Sequence, residues 1–183
     1  MKKILTLNCS DFKSACKKLE DNIISSGFLP DIVVGIESGG RYVADEIFAG
    51  VKHCYIAKHR PGNKSKKVLL SKIISKLPML ATNTLRRIES CVLSVRLLKR
   101  VQAFEGNIPS EIFDVYRILV VDDAIDTGNT MQSIVMALEK KNPNAQISTA
   151  VIVKTLPSSR IVPDYCLYND VLIRFPWSND AVR

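Results

Sequence analysis

The chain has no apolar run of the roughly 18 residues that a membrane span needs, because Lys and Arg interrupt every candidate between Val68 and Arg100. Its start, MKKILTLNCSDF, has too short an apolar stretch for a signal peptide. A soluble, cytoplasmic protein with no membrane partner is expected. Cysteine is scattered and odd in number (Cys9, Cys16, Cys54, Cys91, Cys166), with no Cys-x-x-Cys and two histidines, His53 and His59. That pattern excludes a disulfide framework; it predicts reduced, mostly buried packing thiols, with a Cys nucleophile or a zinc site as the alternative. A Walker A loop and a GxGxxG turn are both missing, which removes the commonest nucleotide-binding signatures. There is no low-complexity tract or internal repeat, and 183 residues suit one compact domain, or one domain with an insertion.

What is present is an uneven charge. The net charge is +8, yet residues 52–100 carry 13 Lys and Arg against one acid, Glu89, a net of +12. The rest of the chain has 13 basic and 17 acidic residues and is net acidic. The basic stretch is either a solvated helix face or a surface for polyanions such as nucleic acid, taken as residues 58–100.

Hydrophobic periodicity gives the layout. Ser10 precedes a helical pattern (Phe12, Ala15, Cys16, Leu19, Ile23) that Gly27 stops, so a helix is expected over about 11–26. Ile32-Val33-Val34-Gly35-Ile36 is a continuous β-branched run, the mark of a strand covered on both faces. Ser38-Gly39-Gly40 and a helix, Tyr42 to Phe48, follow it, then a strand near His53–Lys58. His59–Lys67 reads as a basic loop, and apolar stripes over Leu69–Leu77 and Leu85–Val95 predict two helices split by Pro78, the second capped near Asn83. These stripes are core contacts or a seam to a second subunit, so a homo-oligomer is an open expectation. Arg117–Val121 is a further buried strand, Thr130–Lys141 a helix that Asn142-Pro143 ends, and Gln146–Lys154 a strand. Short strands are expected in Tyr165–Trp177. The alternation predicts an α/β fold with a central, mainly parallel sheet flanked by helices, and ligands beyond the strands' C-terminal ends.

The segment RILVVDDAIDTGNTM, Arg117–Met131, carries the chemistry. Backbone N–H groups converging at a helix N-terminus hold a phosphate, Thr127 and Thr130 add hydroxyl donors, and Gly128 lets the backbone come close. Asp122 and Asp123 are acceptors only, so next to a phosphate they must face hydroxyl groups or a divalent cation. A ribose phosphate, with or without magnesium, satisfies both conditions.

This segment resembles the signature of the type I phosphoribosyltransferases: a hydrophobic strand, two acids, two variable residues, then Asp-Thr-Gly-x-Thr, which here reads VVDDAIDTGNT. The resemblance implies a type I phosphoribosyltransferase-like fold over 1–183 with a base-binding hood at 155–183, and the basic helical stretch at 59–105 is then an insertion within it. It implies that Asp122 and Asp123 hold the ribose hydroxyls, in part through Mg²⁺, and that Thr127, Gly128, Asn129 and Thr130 hold the 5-phosphate of 5-phosphoribosyl 1-pyrophosphate (PRPP). Asp126 is then beside the incoming base as the candidate general base, or else the N-cap of the helix. PDIVVGIESGGRYVADEIF resembles the family's pyrophosphate loop, so that Ser38, Gly39, Gly40 and Arg41 contact pyrophosphate, although Arg41 also suits the surface. AVIVKT, PDY and VLIRFPWSND are similar to the base-binding end of the hypoxanthine- and xanthine-guanine-type enzymes. Lys154 then donates to an exocyclic oxygen of a 6-oxopurine, or is a solvated strand end.

The departures fall in that tail and in the middle. Val171 or Leu172 stands where those enzymes stack an aromatic ring on the base, and Ser178 stands where several have an acid after Pro-Trp. Phe175 and Trp177 either take over the stacking or belong to the core. Where the family has a loop that closes over the site, this chain has basic, largely helical sequence, with Lys58, Arg60, Lys64, Lys66 and Lys67 as candidates to cover pyrophosphate. The implied reaction is Mg²⁺-dependent transfer of phosphoribosyl from PRPP to a nucleobase. The rival is a PRPP- or nucleotide-sensing regulatory protein that binds nucleic acid through the basic insertion, with Arg86, Arg87, Arg96 and Arg100 as its contacts.

Overall fold

A computed structural model of the chain describes residues 3–57 and 103–178. The expected loop at His59–Lys67, the two expected helices between Val68 and Val95, and the basic residues named from Lys58 to Arg100 lie outside the described residues.

Helix α1 spans Cys9–Ser25. It starts earlier than the sequence pattern suggests, because Asn8 is the N-cap rather than Ser10: the Asn8 side chain accepts from the Asp11 N–H at 2.8 Å. The Asp11 carboxylate accepts from the Asn8 N–H at 3.2 Å in return, a capping box that satisfies two end donors. Gly27, at φ +85°, ends the helix in the left-handed region open to glycine. Strand β1 is Lys3–Thr6; after α1 come β2 Ile32–Ile36, α2 Gly39–Glu46 and β3 Lys52–Ile56. Beyond the undescribed stretch are a short 3-10 turn at Ser110–Ile112, β4 Arg117–Ile125, α3 Asn129–Lys141, β5 Gln146–Lys154, β6 Tyr165–Asn169 and β7 Val171–Arg174.

Five strands form one parallel sheet in the order β3-β2-β4-β5-β6. Alternate residues of the central strands supply the two cores. Val33, Leu119, Val121, Ala150 and Ile152 pack with α1 and α2 on one face. Ile32, Val34, Ile36, Ile118, Val120 and Val151 pack with Met131, Ile134 and Leu138 of α3 on the other. The chain leaves β2 toward β3 and leaves β4 toward β5, in opposite directions along the sheet. The C-terminal ends of β2 and β4 therefore flank the switch point where open α/β sheets bind ligands.

A second, two-stranded parallel sheet pairs β1 with β7, Lys3 opposite Val171 through Thr6 opposite Arg174. The fully buried Arg174 reaches Thr6 Oγ1 at 3.2 Å across this pair. The expected packing role of cysteine holds for Cys16 and Cys54, which are buried, while Cys9 is exposed and Cys166 lies between. Burial pushes the Cys16 thiol up to about 12, with Glu46 and Glu20 adding to the shift, and burial takes Cys54 to about 11. Both are protonated and unsuited to nucleophilic work at neutral pH.

Candidate active site at the switch point

The glycine turn after β2 packs directly on β4. A methyl group built on Gly40 would stand 2.4 Å from the Val121 carbonyl oxygen and 2.9 Å from Asp122 Cα, so only glycine allows this approach. One built on Gly39 would strike the Asp123 carboxylate, 2.1 Å from Cγ. The two stretches read separately in the sequence thus meet: Gly39 and Gly40, buried at the start of α2, lie on Asp122 and Asp123. The turn itself starts with a cis peptide bond between Glu37 and Ser38, and Ser38 is exposed.

Asp122 is 8% exposed and belongs to the β4–β5 ladder opposite Val151, and its Oδ1 accepts from the Asp123 N–H at 2.9 Å. Strand β4 therefore continues through both acids to Ile125, four residues past the expected end at Val121. Among the described residues no group of three or more His, Cys, Asp or Glu is arranged to hold a metal ion. Two adjacent carboxylates near the end of β4 are the hard oxygen donors that Mg²⁺ takes when substrate oxygens and water complete its shell. The residues present fit that ion in that manner.

The Gly128 turn follows β4. Gly128 sits at φ +78° as the N-cap of α3, and its carbonyl accepts the first helical bond, from the Gln132 N–H at 2.9 Å. Asp126 is therefore not the cap; its carboxylate accepts from the Thr155 hydroxyl, next to Lys154 at the end of β5. The Asn129 N–H points toward Thr127 Oγ1 at 3.5 Å. Asn129 Oδ1 and Gln132 Oε1, one helical turn apart, are buried without a hydrogen-bond partner, which marks this corner as one that a further donor completes. A segment that sequence reasoning gave to the base-binding hood closes over this turn: the Arg160 N–H donates to the Thr127 carbonyl at 2.9 Å, and Ile161 lies on Gly128.

Arg41 is exposed and turned toward β3. Its guanidinium lies 4.9 Å over the Tyr55 ring and its Nε is 3.8 Å from Asp45 Oδ2, while the Tyr55 hydroxyl donates to Asp45 Oδ1 at 2.5 Å. That bond, with burial second, raises the Tyr55 hydroxyl above its ordinary range. Lys154 is half-buried opposite Ile125 and Asn169. Leu172, 8% exposed, is opposite Ile4 in the small sheet. Trp177 is stacked by Tyr42 at 4.4 Å and 22° and by Phe175 at 4.9 Å and 8°, with the Phe12 ring edge-on at 4.8 Å. Its ring is thus held by the chain's own aromatics. Thr155 and the 160–161 segment are the site elements that sequence reasoning missed. Thr155 was within reach, since AVIVKT names it beside Lys154; the close approach of 160–161 needs the fold.

The chain belongs to the phosphoribosyltransferase family: the model described as Phosphoribosyl transferase domain matches residues 7–182. Its class is therefore that of an enzyme that moves a phosphoribosyl group. The match takes in both blocks of resemblance read from the sequence and the stretch between them. Among solved structures, the chain is similar to a purine phosphoribosyltransferase from Pyrococcus horikoshii Ot3 (TM-score 0.64, 20% identity, 98% of this chain and 97% of that one). It is also similar to the Helicobacter pylori xanthine-guanine-hypoxanthine phosphoribosyltransferase (TM-score 0.63, 14% identity, 96% and 93%). A third likeness is to a hypothetical protein from Neisseria gonorrhoeae with bound ppGpp (TM-score 0.61, 16% identity, 97% and 90%). At these identities the likenesses establish the parallel-sheet fold. Comparison with curated proteins found no match.

Proposed function

We propose that the chain is a Mg²⁺-dependent phosphoribosyltransferase that joins the phosphoribosyl group of PRPP to a purine base, a 6-oxopurine, and releases pyrophosphate. The observation that carries this reading is the seating of Asp122 and Asp123 on Gly39 and Gly40, with the Gly128 turn at the end of the same strand. PRPP is anionic at both ends and carries hydroxyl donors between them. The site offers helix N-termini at two turns and carboxylate acceptors between them.

In this reading Thr127, Gly128, Asn129 and Thr130 hold the 5-phosphate, Asp122 and Asp123 the ribose hydroxyls, and Ser38, Gly39, Gly40 and Arg41 the pyrophosphate. Mg²⁺, held by Asp122 and Asp123 with substrate oxygens, would neutralise the leaving pyrophosphate. A nitrogen of the base bonds to C1 of the ribose as the C1–oxygen bond breaks and the electron pair leaves with pyrophosphate. The proton of that nitrogen passes to Asp126, which the Thr155 hydroxyl orients. Lys154, at the strand end beside this pair, would donate to the exocyclic oxygen of the base. Leu172 would line the pocket from the hood, and Trp177 would support it from its stack.

The test is pyrophosphate release from PRPP and Mg²⁺ with a panel of bases, alongside calorimetric binding. Release with hypoxanthine, guanine or xanthine is expected, and its loss in the Asp122→Asn plus Asp123→Asn variant. Unchanged PRPP binding in that variant would overturn the site. A second reading, a nucleotide-sensing regulator, draws on the ppGpp-bound neighbour. Tight guanine-nucleotide binding without turnover of any base, with nucleic-acid binding that falls steeply with salt, would favour it.

A further inference from the structure

Helix α2 begins with Ser38 as its N-cap, yet Ser38 has helical φ and ψ and its side chain makes no capping hydrogen bond. A helix N-terminus favours an anion, because its first N–H groups have no helical partners and the dipole is positive there. In this chain a carboxylate from another strand is already in place. A methyl group built on Gly39 would stand 2.1 Å from Asp123 Cγ and 2.2 and 2.3 Å from its two oxygens, so the whole carboxylate lies against the Gly39 backbone. Asp122 is differently committed. It is 8% exposed, it accepts from the Asp123 N–H, and its Oδ1 is 3.2 Å from a methyl built on Gly40. Asp123, the less buried of the two, is the one seated on the start of the helix.

We propose that Asp123 is an internal competitor for pyrophosphate: its carboxylate occupies the Gly39–Gly40 turn, gives way when PRPP binds, and returns as pyrophosphate departs. The inference rests on the reading of that turn as the pyrophosphate site. A pyrophosphate at this turn would meet the carboxylate that lies against Gly39, and like charges at contact repel wherever no cation stands between them. The turn therefore holds free pyrophosphate less tightly than its amides alone would. A carboxylate displaced from the turn becomes available to the ribose hydroxyls, so binding at the two halves of the substrate is coupled. Gly39 is required on the same ground, because any side chain there would stand where the carboxylate stands.

The experiment is calorimetry with inorganic pyrophosphate, and separately ribose 5-phosphate, in EDTA to keep divalent cations away. The proteins are the full-length wild type, Asp123→Ala, Asp123→Asn and the charge-matched Asp122→Asn. Asp123→Ala is expected to bind pyrophosphate about tenfold tighter than wild type, the order of one charge-assisted hydrogen bond. Asp123→Asn should fall between and Asp122→Asn should gain under about threefold, while Asp123→Ala should bind ribose 5-phosphate more weakly than wild type, since it has no carboxylate to offer the ribose hydroxyls; circular dichroism confirms folding. In the absence of ligand, Asp123→Ala should shift the Gly39 amide resonance more than any other outside β4. Pyrophosphate binding no tighter in Asp123→Ala, with the fold intact by circular dichroism, overturns the competitor and leaves the proposed function standing. An equal gain in Asp122→Asn also overturns it, since charge removal alone would then suffice. Failure of wild type to bind either ligand overturns the proposed function and this inference with it.

Discussion

Replacing Gly128 by alanine should cost far more than replacing Gly27, although both glycines have nearly the same backbone. Gly27 has φ +85° and nothing within 4 Å of an added Cβ, so Gly27→Ala reads left-handed strain alone. That strain is about 1–2 kcal/mol, less about 0.4–1 kcal/mol returned by the stiffer unfolded chain, a net of roughly 1 kcal/mol. Gly128 has φ +78°, but its added Cβ would also meet Ile161 Cγ2 at 2.9 Å, the Ile161 nitrogen at 3.0 Å and the Arg160 nitrogen at 3.4 Å. Two of those three atoms are backbone and cannot rotate away, so an overpacking cost of about 1–3 kcal/mol adds to the strain. The expected total is roughly 2–4 kcal/mol, read by denaturant unfolding at matched m-value. Ile161→Ala in the Gly128→Ala background should recover part of the loss, because it clears Cγ2 and leaves the backbone contact. If Gly128→Ala costs no more than Gly27→Ala, segment 160–161 does not lie on the Gly128 turn and the described closure over it is wrong.

At the other turn, Gly40→Ala should destabilise by about 2–3 kcal/mol, because its methyl meets the Val121 carbonyl. Gly39→Ala, which meets only the movable end of Asp123, should stay folded by circular dichroism and lose PRPP affinity. Asp31→Asn should lose about 1–2 kcal/mol at pH 7, since Asp31 accepts from the Arg117 guanidinium at 2.7 Å and from the Arg117 and Tyr116 N–H groups. The Arg117 hydrogen bond holds the Asp31 carboxyl below its ordinary range. A depressed carboxyl contributes stability above its unfolded value near 4, so the gap between variant and wild type should close as pH falls below about 4. Iodoacetamide at neutral pH should label Cys9 in the native protein and reach Cys16 and Cys54 only on unfolding, as peptide mass mapping would show.

Strands β2 and β5 were legible to the residue, because each carries a run of apolar residues covered on both faces, Ile32–Ile36 and Ala150–Val153. Strand β4 was not, since Asp122 and Asp123 read as the end of a buried segment. They continue the ladder because they stand at the crevice, where carboxylates meet a glycine turn instead of a core. Strand β1 escaped because Lys2 and Lys3 mask its apolar residues and its partner, β7, follows at the far end of the chain. Asn8 was hidden by the nearer Ser10, although Asn8 and Asp11 have capping-box spacing. The acids, the glycines and Lys154 were all readable as chemistry. That Asp126 pairs with Thr155, and that Trp177 is held by Tyr42 and Phe175, depends on tertiary packing.

On the proposed function, the architecture also accounts for acids beside phosphate sites in a chain that is basic overall. Adjacent strands stand about 4.8 Å apart, so turns after β2 and β4 place two helix N-termini close together, and the two positive ends alone would attract any polyphosphate. On that reading, Asp122 and Asp123, set between them, would reject an anion that has no hydroxyl donors or cation to offer at that point. The carboxylates would then act as a filter on the turns as well as a seat for sugar. A substrate would pass by presenting phosphate, then hydroxyl, then phosphate in that order, and the acceptor base would approach C1 from the side where Asp126 and Lys154 stand.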